Sequence, residues 1–415
     1  MKNFRSFKDE QRLSMLASSD DSLPGNVSDS SNKKGERLVN SAAIYGANAS
    51  GKSNLVIALS LLKNLVGLSH QHQKGVWLNF QPFKFDPRCA ERPTTFDIEF
   101  IKAGIRYSYH LAFTSKEITE ESLHYYPNNR RAMVFTRHKQ NFDFNMDKKE
   151  QEVISRRTLE NTLYLSTSVQ FNYEGTMKAF EWFQNDLIVL DTTAADQLMD
   201  RVIDRMNRNK RFKDNILKAL RIADLGIVGV KGRVRTIPLS EMEGKMPPQI
   251  IGAMTMLGAP VVMRDLSFTH SVRLKNGSDE HFDLDHMHES EGTRRLFSII
   301  GPIIDSLSEG KAIVIDEMDT KLHHDLSEWI VGLFHDPEQN SKGAQLIFNT
   351  HDGQLLDLSL FRRDQIWFVE KDAECGSTSL YSLAEFGERK DRDVLKAYRL
   401  GRYGAVPFIS DEKVL

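Results

Sequence analysis

Apolar runs of strand length recur along the chain and are separated by segments with helical patterns. Three of them are KAIVIDE from Lys311, AQLIFNTH from Ala344 and DQIWFVEK from Asp364. A fourth, RLVNSAAIY, runs from Arg37 to Tyr45. Strands that are apolar on both faces are typical of a parallel sheet covered by helices. These runs therefore predict an α/β fold.

The remaining pattern predicts helices and one antiparallel region. Residues 52–68 are mostly apolar and predict a buried helix. Residues 94–126 alternate between apolar and polar positions, with a turn near residues 102–104, which predicts an antiparallel meander. From residue 171 to about Leu225 the pattern is mostly helical. The region 238–260 is rich in Met and Gly and predicts no element.

Composition limits the classes of protein that fit. The 415 residues carry a formal net charge of −2, so no global charge draws the chain to nucleic acid or to an acidic membrane. The two cysteines, Cys89 and Cys375, are typical of a reducing compartment and predict a cytoplasmic location. The longest apolar helical segment, 55–68, is too short to span a bilayer and contains Lys63, so no membrane segment is expected.

The segment GANASGKS, residues 46–53, matches the phosphate-binding pattern G-x-x-x-x-G-K-[ST] at each fixed position. It follows a predicted strand and precedes a predicted helix, which is the context that the pattern requires. In this motif backbone N–H groups approach the phosphates, the lysine reaches the β- and γ-phosphates and acts in catalysis, and the final serine ligates Mg²⁺. The residues predicted to contact the nucleotide are Gly46, Asn48, Ser50, Gly51, Lys52, Ser53 and Asn54.

Acidic and imidazole side chains end two of the later apolar runs. Asp316 is placed to hold a magnesium-bound water, and Glu317 to polarise the water that attacks the γ-phosphate. His351 ends the next run on the same predicted sheet edge, where an imidazole can contact the γ-phosphate. Alone, an acidic strand end is more often a cap and a single histidine is usually structural. Their combination with the phosphate-binding loop favours the catalytic interpretation.

The order of these motifs resembles that of ABC-type ATPases of the SMC/RecF class. The motifs are the P-loop, Gln170 in YLSTSVQ, then ESEGTRRL, AIVIDEMDTKLHHDL and LIFNTHD. The resemblance implies an ATPase head with a mixed sheet, an N-terminal antiparallel β meander and a helical insert. It divides the chain into an N-terminal ATPase lobe (1–170), a mostly helical basic insert (171–265) and a C-terminal ATPase lobe (266–415).

The same resemblance implies roles for individual residues. Gln170 is the expected Q-loop glutamine, in contact with nucleotide and Mg²⁺, while the acidic pair and the histidine are the Walker B pair and the switch histidine. Ser290 and Gly292 resemble a degenerate signature motif, which in this class meets the γ-phosphate held by the opposite protomer. Glu291 departs from that motif because it replaces a glycine. A homodimer with ATP between its protomers is therefore expected.

A closer resemblance, over nearly the whole chain, is to compact ATP-binding proteins of abortive-infection and antiphage-defence operons, the RloA-like group. It is carried by AAIYGANASGKSNL, PTTFDIEFI, SEGTRRL, IDEMDTKLH, RRDQIWFVEK and GRYGAVPFI. The resemblance implies an ATP hydrolase that regulates a separate effector, a nuclease or a toxin. Because only 64 residues follow His351, too few for the nuclease domain of some related ATPases, the chain is not itself expected to be a nuclease.

The predicted insert leaves a second kind of partner open. Residues 201–235 contain eleven Lys or Arg against three Asp, which fits either phosphate contacts with DNA or RNA or a solvated helical face. The alternatives to an effector regulator are a RecF-like repair ATPase that binds DNA directly and a non-catalytic ATP-dependent scaffold. His286, His288 and the pair 323–324 fit no common metal site, so no metal besides Mg²⁺ is expected.

Overall fold

The computed structural model describes residues 1–31, 34–191, 195–223, 226–238, 241, 261–389 and 392–406. The Met- and Gly-rich region, except Pro238 and Glu241, and the last three residues of GRYGAVPFI lie outside the described residues. The chain divides into two compact units. The first unit comprises residues 1–191, 306–319 and 327–415, and the second unit comprises residues 192–305 and 320–326.

Helices and strands occur throughout both units. The described α-helices are α1 (Lys52–Leu68), α2 (Lys148–Ser155), α3 (Tyr164–Gln170), α4 (Glu174–Glu181), α5 (Ala195–Arg208), α6 (Lys210–Ile222), α7 (Glu291–Glu309), α8 (His324–His335) and α9 (Val394–Arg399). The described strands are β1 (Val27–Asp29), β2 (Arg37–Val39), β3 (Ser41–Tyr45), β4 (Thr94–Lys102), β5 (Ile105–Phe113), β6 (Ile118–Tyr125), β7 (Ala132–His138), β8 (Asn141–Phe144), β9 (Leu187–Leu190), β10 (Ile227–Ile237), β11 (Val261–Arg273), β12 (Asp279–Asp285), β13 (Ala312–Ile315), β14 (Gln345–Asn349), β15 (Ile366–Lys371) and β16 (Thr378–Ser382). Over the described part of the chain, no helix combines the length and apolar character needed to cross a bilayer.

Six strands form the central sheet of the first unit, in the order β16-β15-β3-β14-β13-β9. All neighbouring strands are parallel except β15 and β16, which makes the sheet mixed. Every residue of β3 is buried, and β13 has three buried residues out of four. Burial on both faces explains why these strands read as continuous apolar runs instead of alternating ones. The strands predicted from the four apolar runs are therefore confirmed.

A second sheet in the first unit is the antiparallel meander β4-β5-β6-β7-β8. Its inner face carries the buried side chains Phe96, Phe100 and Tyr109, which share one apolar core with Val56 and Leu65 of α1. Burying an aromatic or aliphatic side chain of this size contributes about 1.5–3 kcal/mol to stability. The meander thus fixes the helix that follows the phosphate-binding loop, and both elements were predicted correctly.

A buried ion pair connects the meander to α3. The Glu121 carboxylate on β6 accepts the backbone N–H groups of Tyr164 and Leu165 at 2.7 and 2.9 Å, in the first turn of α3. Arg137 on β7 lies 3.4 Å from that carboxylate, and both side chains are fully buried. Burial raises the pKa of Glu121, and the positive charge of Arg137 opposes this rise. These contacts fix the segment YLSTSVQ as a helix against the meander.

The second unit contains helices and a sheet. β10, β11 and β12 form a three-stranded antiparallel sheet, and helices α5 and α6 pack against β10. Its core includes Val202, Phe212, Ile216, Phe268 and Phe297, and the last two rings meet edge to face at 5.4 Å. The predicted insert therefore holds two helices, as its pattern indicated, together with a sheet that was not predicted.

The boundaries of the second unit differ from those expected for the insert, 171–265. Residues 171–191 belong to the first unit because they include β9, which pairs with β13. The second unit continues to residue 305 because β11 and β12 complete the sheet begun by β10. β9 was missed in a segment predicted to be helical, because a four-residue apolar run between helices is too short to reveal its period.

Candidate active site

Four parallel strands of the central sheet end at one edge of the first unit. In sheet order they are β3, β14, β13 and β9. Their registers place Ile315 opposite both Leu190 and Phe348, and Asn349 opposite Ile44, so their carboxyl ends are level. In open α/β sheets, ligands bind beyond the carboxyl ends of parallel strands. The residues that follow these strands therefore form the candidate site.

The loop after β3 is packed so closely that it requires glycine. Gly51 has a φ of +114°, and a Cβ there would lie 2.6 Å from Ser6 Oγ and 2.9 Å from Thr378 Oγ1. A Cβ on Gly46 would lie 2.3 Å from the carbonyl oxygen of Val369. Glycine alone tolerates both the backbone conformation and the close approach. The two fixed glycines of the sequence motif therefore have a structural cause.

Lys52 is the first residue of α1 and turns back over this loop. Its Nζ donates hydrogen bonds to the carbonyl oxygens of Gly46 at 2.7 Å and Ala47 at 3.0 Å, and the residue is 5% exposed. Burial lowers the pKa of Lys52, and the nearby carboxylates of Glu317 and Asp319 oppose that effect. Because carbonyl groups are neutral, a phosphate is the stronger partner for this ammonium group.

The loop lines a cleft of about 820 Å³ together with Glu317 and His351. Small-molecule sites typically measure about 300–1,000 Å³. The cleft includes the consecutive residues 48–54, which begin with Asn48 and end with Ser53 and Asn54. Ser50 Oγ is buried without a hydrogen-bond partner among the described residues, and the N-terminus of α1 favours a negative charge at the same place. These features fit the phosphates of a nucleotide.

Oxygen donors at the same sheet edge fit Mg²⁺. This ion prefers oxygen ligands and is usually bound by one or two carboxylates together with substrate phosphates and water. Ser53 and Asp316 offer a hydroxyl and a carboxylate at the P-loop edge of the sheet. Within the described ranges no cluster of three or more His, Cys, Asp or Glu side chains could hold a metal by itself. The donor set therefore fits an ion that arrives with its nucleotide.

The acidic residues after β13 are held by the last residue of β14. Asn349 Nδ2 donates to Asp316 Oδ1 at 2.5 Å, and Asn349 Oδ1 accepts the N–H of Glu317 at 2.5 Å. Glu317 has a φ of +48°, which is uncommon for a residue with a side chain. Asn349 was not among the residues predicted from the sequence. The sequence feature that could have indicated Asn349 is a polar side chain at the end of an apolar run, two residues before His351.

His351 is joined to the loop that follows the acidic pair. Its backbone N–H lies 3.2 Å from Asp319 Oδ2, to which it donates a hydrogen bond. The histidine is exposed and lines the cleft, as the sequence order of the motifs predicted. The first unit thus brings Lys52, Glu317 and His351 to one cleft although they are far apart in sequence.

Gln170, the expected Q-loop glutamine, lies on α3. It is the exposed last residue of α3, a helix packed on the meander and on α4, and it is absent from the residues that line the cleft. The strand beside β13 is β9, and Asp191 follows it. Ser60 of α1 donates a hydrogen bond to Asp191 Oδ2 at 3.3 Å. Contact of Gln170 with the nucleotide and Mg²⁺ stays a prediction.

The signature-like segment lies in the second unit, at the start of α7. Ser290 Oγ accepts the backbone N–H of Thr293 at 3.0 Å and so caps the helix. Glu291 pairs with Lys321 Nζ at 2.9 Å, which lowers the pKa of Glu291. A Cβ on Gly292 would lie 2.9 Å from the carbonyl oxygen of Lys321. Lys321 thus packs closely on this helix start and compensates the charge that replaced a glycine, while contact of Ser290 and Gly292 with nucleotide stays a prediction.

Strand order, phosphate-binding loop, acidic strand end and histidine together define a P-loop ATPase of the ABC type. The chain belongs to the family described as "AAA domain, putative AbiEii toxin, Type IV TA system", which matches residues 41–357. The matched region includes the P-loop, the signature-like segment, the acidic pair and His351. Comparison with curated protein sequences gives no match.

Solved structures with similar chains include SMC heads and RecF. An SMC head bound to the C-terminal winged-helix domain of ScpA has 12% identity and a TM-score of 0.38, with 92% of this chain and 95% of that chain covered. A RecF–ATPγS structure titled as the recombination mediator of the RecFOR pathway has 14% identity and a TM-score of 0.30, with coverage of 91% and 96%. An SMC head domain with an extended coiled coil, bound to the C-terminal domain of ScpA from Pyrococcus furiosus, has 12% identity and a TM-score of 0.32, with coverage of 90% and 96%.

Proposed function

We propose that this chain binds ATP with Mg²⁺, hydrolyses the ATP, and uses ATP-dependent dimerisation to regulate a separate effector, a nuclease or a toxin, in cytoplasmic antiphage defence. The observation that carries the enzymatic part is the convergence of Lys52, Ser53, Glu317 and His351 on one cleft. The family description, which names a putative AbiEii toxin and a type IV toxin–antitoxin system, supports the defence context. The chain itself is proposed not to be a nuclease.

Binding follows from the loop and the first turn of α1. Backbone N–H groups of the loop donate to the phosphates, and Lys52 exchanges its carbonyl partners for β- and γ-phosphate oxygens. Ser53, Asp316 and Gln170 are the residues proposed to hold Mg²⁺, and Asp191, which follows β9, is a further carboxylate at this edge. When bound, the ion neutralises charge that develops on the phosphates.

Hydrolysis is assigned to Glu317 and His351. The Glu317 carboxylate accepts a proton from a water molecule as the water oxygen bonds to the γ-phosphorus. The bond from the γ-phosphorus to the β–γ bridging oxygen breaks, and its electrons remain on ADP. His351 donates a hydrogen bond to the γ-phosphate oxygens, which carry the developing negative charge. Inorganic phosphate and ADP then leave, and the proton on Glu317 returns to solvent.

Dimerisation is proposed to link turnover to the effector. If Ser290 and Gly292 of one protomer contact the γ-phosphate bound by the other, ATP favours the dimer and hydrolysis removes that bridge. ATP can bias this equilibrium only by its preference for the dimer over the monomer. An effector that binds one of the two states is then switched by nucleotide.

Two variants and two matched controls test the enzymatic proposal. Lys52→Ala is expected to abolish measurable ATP binding, because the phosphates lose their cationic partner. Glu317→Gln is expected to bind ATP normally and to reduce kcat by about 100-fold or more, because the general base is lost. The exposed controls Lys178→Ala and Glu174→Gln on α4 should match the wild type in both assays. Wild-type turnover by the Lys52 variant would refute the proposal.

The hydrolysis-deficient Glu317→Gln chain also tests dimerisation and the effector. Light scattering should show a dimer with ATP and a monomer with ADP, and Ser290→Arg should prevent the dimer while ATP still binds. Affinity purification of the ATP-bound dimer from its native host should recover a nuclease-like or toxin-like protein. ATP-dependent, salt-sensitive DNA binding without such a protein would favour the RecF-like alternative. Turnover unaffected by Glu317→Gln would favour the non-catalytic scaffold.

Nucleic-acid contact through residues 201–235 is not needed for this proposal. Within the second unit, Arg205 pairs with Asp305, and Arg235 lies 2.5 Å from Asp265. Lys231 likewise donates to the Asp283 carboxylate, so several of the eleven basic residues have acidic partners. The α5–α6 turn retains exposed cations, Arg208, Lys210 and Arg211, and is the candidate contact for a phosphate backbone.

A further inference from the structure

Asn349 contacts three consecutive residues at the end of the neighbouring strand. Its side chain bonds the Asp316 carboxylate and the Glu317 N–H, each at 2.5 Å, and its backbone carbonyl accepts the N–H of Met318 at 3.2 Å. Asn349 is 0% exposed and Asp316 is 4% exposed. A buried amide has a donor and an acceptor in fixed relation, so these bonds specify both the distance and the rotation between the two strand ends.

The conformation of Glu317 explains why such a contact is needed. Its φ of +48° lies in the left-handed region, which disfavours residues with a Cβ. Strained backbone of this kind persists only where the surrounding structure holds it. Asn349 Oδ1 stabilises this conformation because it accepts a hydrogen bond from the N–H of Glu317 itself. Without the bond, the backbone at Glu317 can relax toward ordinary conformations and its side chain leaves its present direction.

We propose that Asn349 is a positioning residue that sets the direction of Glu317 and the orientation of the Asp316 carboxylate for ATP hydrolysis. The proposal rests on the ATPase function proposed above and adds a residue to it. Asn349 is absent from the residues lining the cleft, so it acts through its two acidic neighbours. Removing a hydrogen-bond partner of a ligating carboxylate typically reduces activity or metal affinity about 10- to 100-fold.

A second buried asparagine provides a matched control. Asn340 is 4% exposed and donates to the carbonyl oxygens of Phe334 and Ala344, each at 2.9 Å. It also accepts the N–H of Ala344 at 2.7 Å. Asn340 thus has a similar burial and three side-chain hydrogen bonds against two for Asn349, but none of its partners lines the cleft. Its replacement reports the structural cost of losing a buried amide.

The experiment compares Asn349→Ala, Asn349→Asp and Asn340→Ala with the wild type and with Glu317→Gln. Asn349→Ala is expected to lower kcat about 10- to 100-fold, with the ATP dissociation constant unchanged within threefold. Hydrogen exchange should become faster for the Glu317 amide. Asn349→Asp keeps an acceptor for that amide, but its ionised form cannot donate to Asp316 and adds a second negative charge beside it, so at a pH where both carboxylates are ionised protection should remain while kcat falls. Asn340→Ala should keep wild-type kcat at temperatures where all variants are folded.

Wild-type kcat in Asn349→Ala, or an equal loss in Asn340→Ala, would overturn the proposal. Unchanged protection of the Glu317 amide in Asn349→Ala would overturn it as well, and this readout does not depend on turnover. If the wild type and Glu317→Gln hydrolyse ATP equally slowly, the proposed ATPase function fails instead. Should Asn349→Ala fail to fold, Asn349→Asp tests the contact with Asp316 by itself.

Discussion

At the residue scale, the phosphate-binding loop is held by a side chain from the far end of the chain. Thr378 Oγ1, on β16, donates to the carbonyl oxygen of Ser50 at 2.7 Å, and Thr378 is buried. Thr378→Val keeps the shape but leaves this loop carbonyl unpaired, at a cost of about 1–3 kcal/mol. We expect the ATP dissociation constant, measured by calorimetry, to rise about fivefold or more.

A threonine outside the site separates this effect from general stability. Thr158 is also buried and donates to the carbonyl oxygen of Ile154 at 3.1 Å, between α2 and α3. Thr158→Val should lower the melting temperature and leave the ATP dissociation constant unchanged. Equal ATP affinity of Thr378→Val and the wild type would show that the loop does not depend on this bond.

The residues of the site differ in how well the sequence predicted them. Lys52 and Ser53 were predicted because the P-loop has fixed spacing within one segment, so local chemistry determines it. Gln170 was assigned by its order among the motifs, and its contact with the nucleotide stays a prediction. Asn349 was missed because its role consists of two contacts with another strand. Residues defined by pairing between distant segments need the structure.

At the element scale, the start of α3 depends on one buried carboxylate. Glu121 accepts two N–H groups of that helix, bonds Tyr109 Oη at 2.9 Å and faces Arg137. Glu121→Gln removes the negative charge and one acceptor oxygen, which leaves the Arg137 guanidinium buried without its counter-charge. Breaking a buried pair in this way costs about 3–5 kcal/mol. Urea unfolding should therefore show a much lower midpoint.

The neighbouring residue gives the control for that measurement. Glu120 lies on the same strand but is largely exposed, and it contacts His110 at 3.3 Å. Exposed pairs contribute at most about 1 kcal/mol, so Glu120→Gln should leave the midpoint nearly unchanged. Similar midpoints for the two variants would mean that water or another acceptor compensates the loss of the Glu121 charge beside the buried Arg137 guanidinium.

Helices and strands were predicted correctly where the periodic segment was long or the run was fully apolar. α1 was predicted with its observed bounds, and the first three strands of the meander lie within the alternating segment. The prediction missed β9 because four residues are too few to show a hydrophobic period. The prediction missed β12 for a different reason. All seven of its residues are exposed, so burial imposes no alternation of apolar and polar residues on DEHFDLD. Strands defined mainly by pairing leave little pattern in a sequence.

At the scale of the whole molecule, the two units show which parts of the fold follow from local sequence. Four of the six strands of the central sheet, β3, β13, β14 and β15, were predicted because each carries its own apolar signal. The division into units was not, because it depends on which segments pair: β9 returns to the first unit, whereas β11 and β12 extend the second. Segments adjacent in sequence thus belong to different units, and only tertiary contacts decide between them.

The stability of the molecule should depend on pH through His335, the last residue of α8. Its Nε2 lies 2.8 Å from Ser41 Oγ on β3, and burial lowers its pKa to about 3. An unfolded histidine has a pKa of about 6.5. Below pH 6.5 the unfolded state therefore binds a proton that the folded state does not. The contribution of neutral His335 is fully present above pH 6.5, and it is lost at about 1.4 kcal/mol per pH unit as the pH falls toward 3.

Comparison with His335→Gln isolates this contribution. Other groups titrate in the same range, because burial also lowers the pKa of His70 and His124, while carboxylates raise that of His110. Those groups are unchanged in the variant, so the difference in unfolding free energy between the two proteins reports His335 alone. Urea unfolding between pH 7 and pH 4.5 should show the wild type losing about 3 kcal/mol more than the variant. Parallel pH profiles would instead mean that His335 becomes protonated inside the folded protein. The charged ring would then remain in place beside Ser41 of β3.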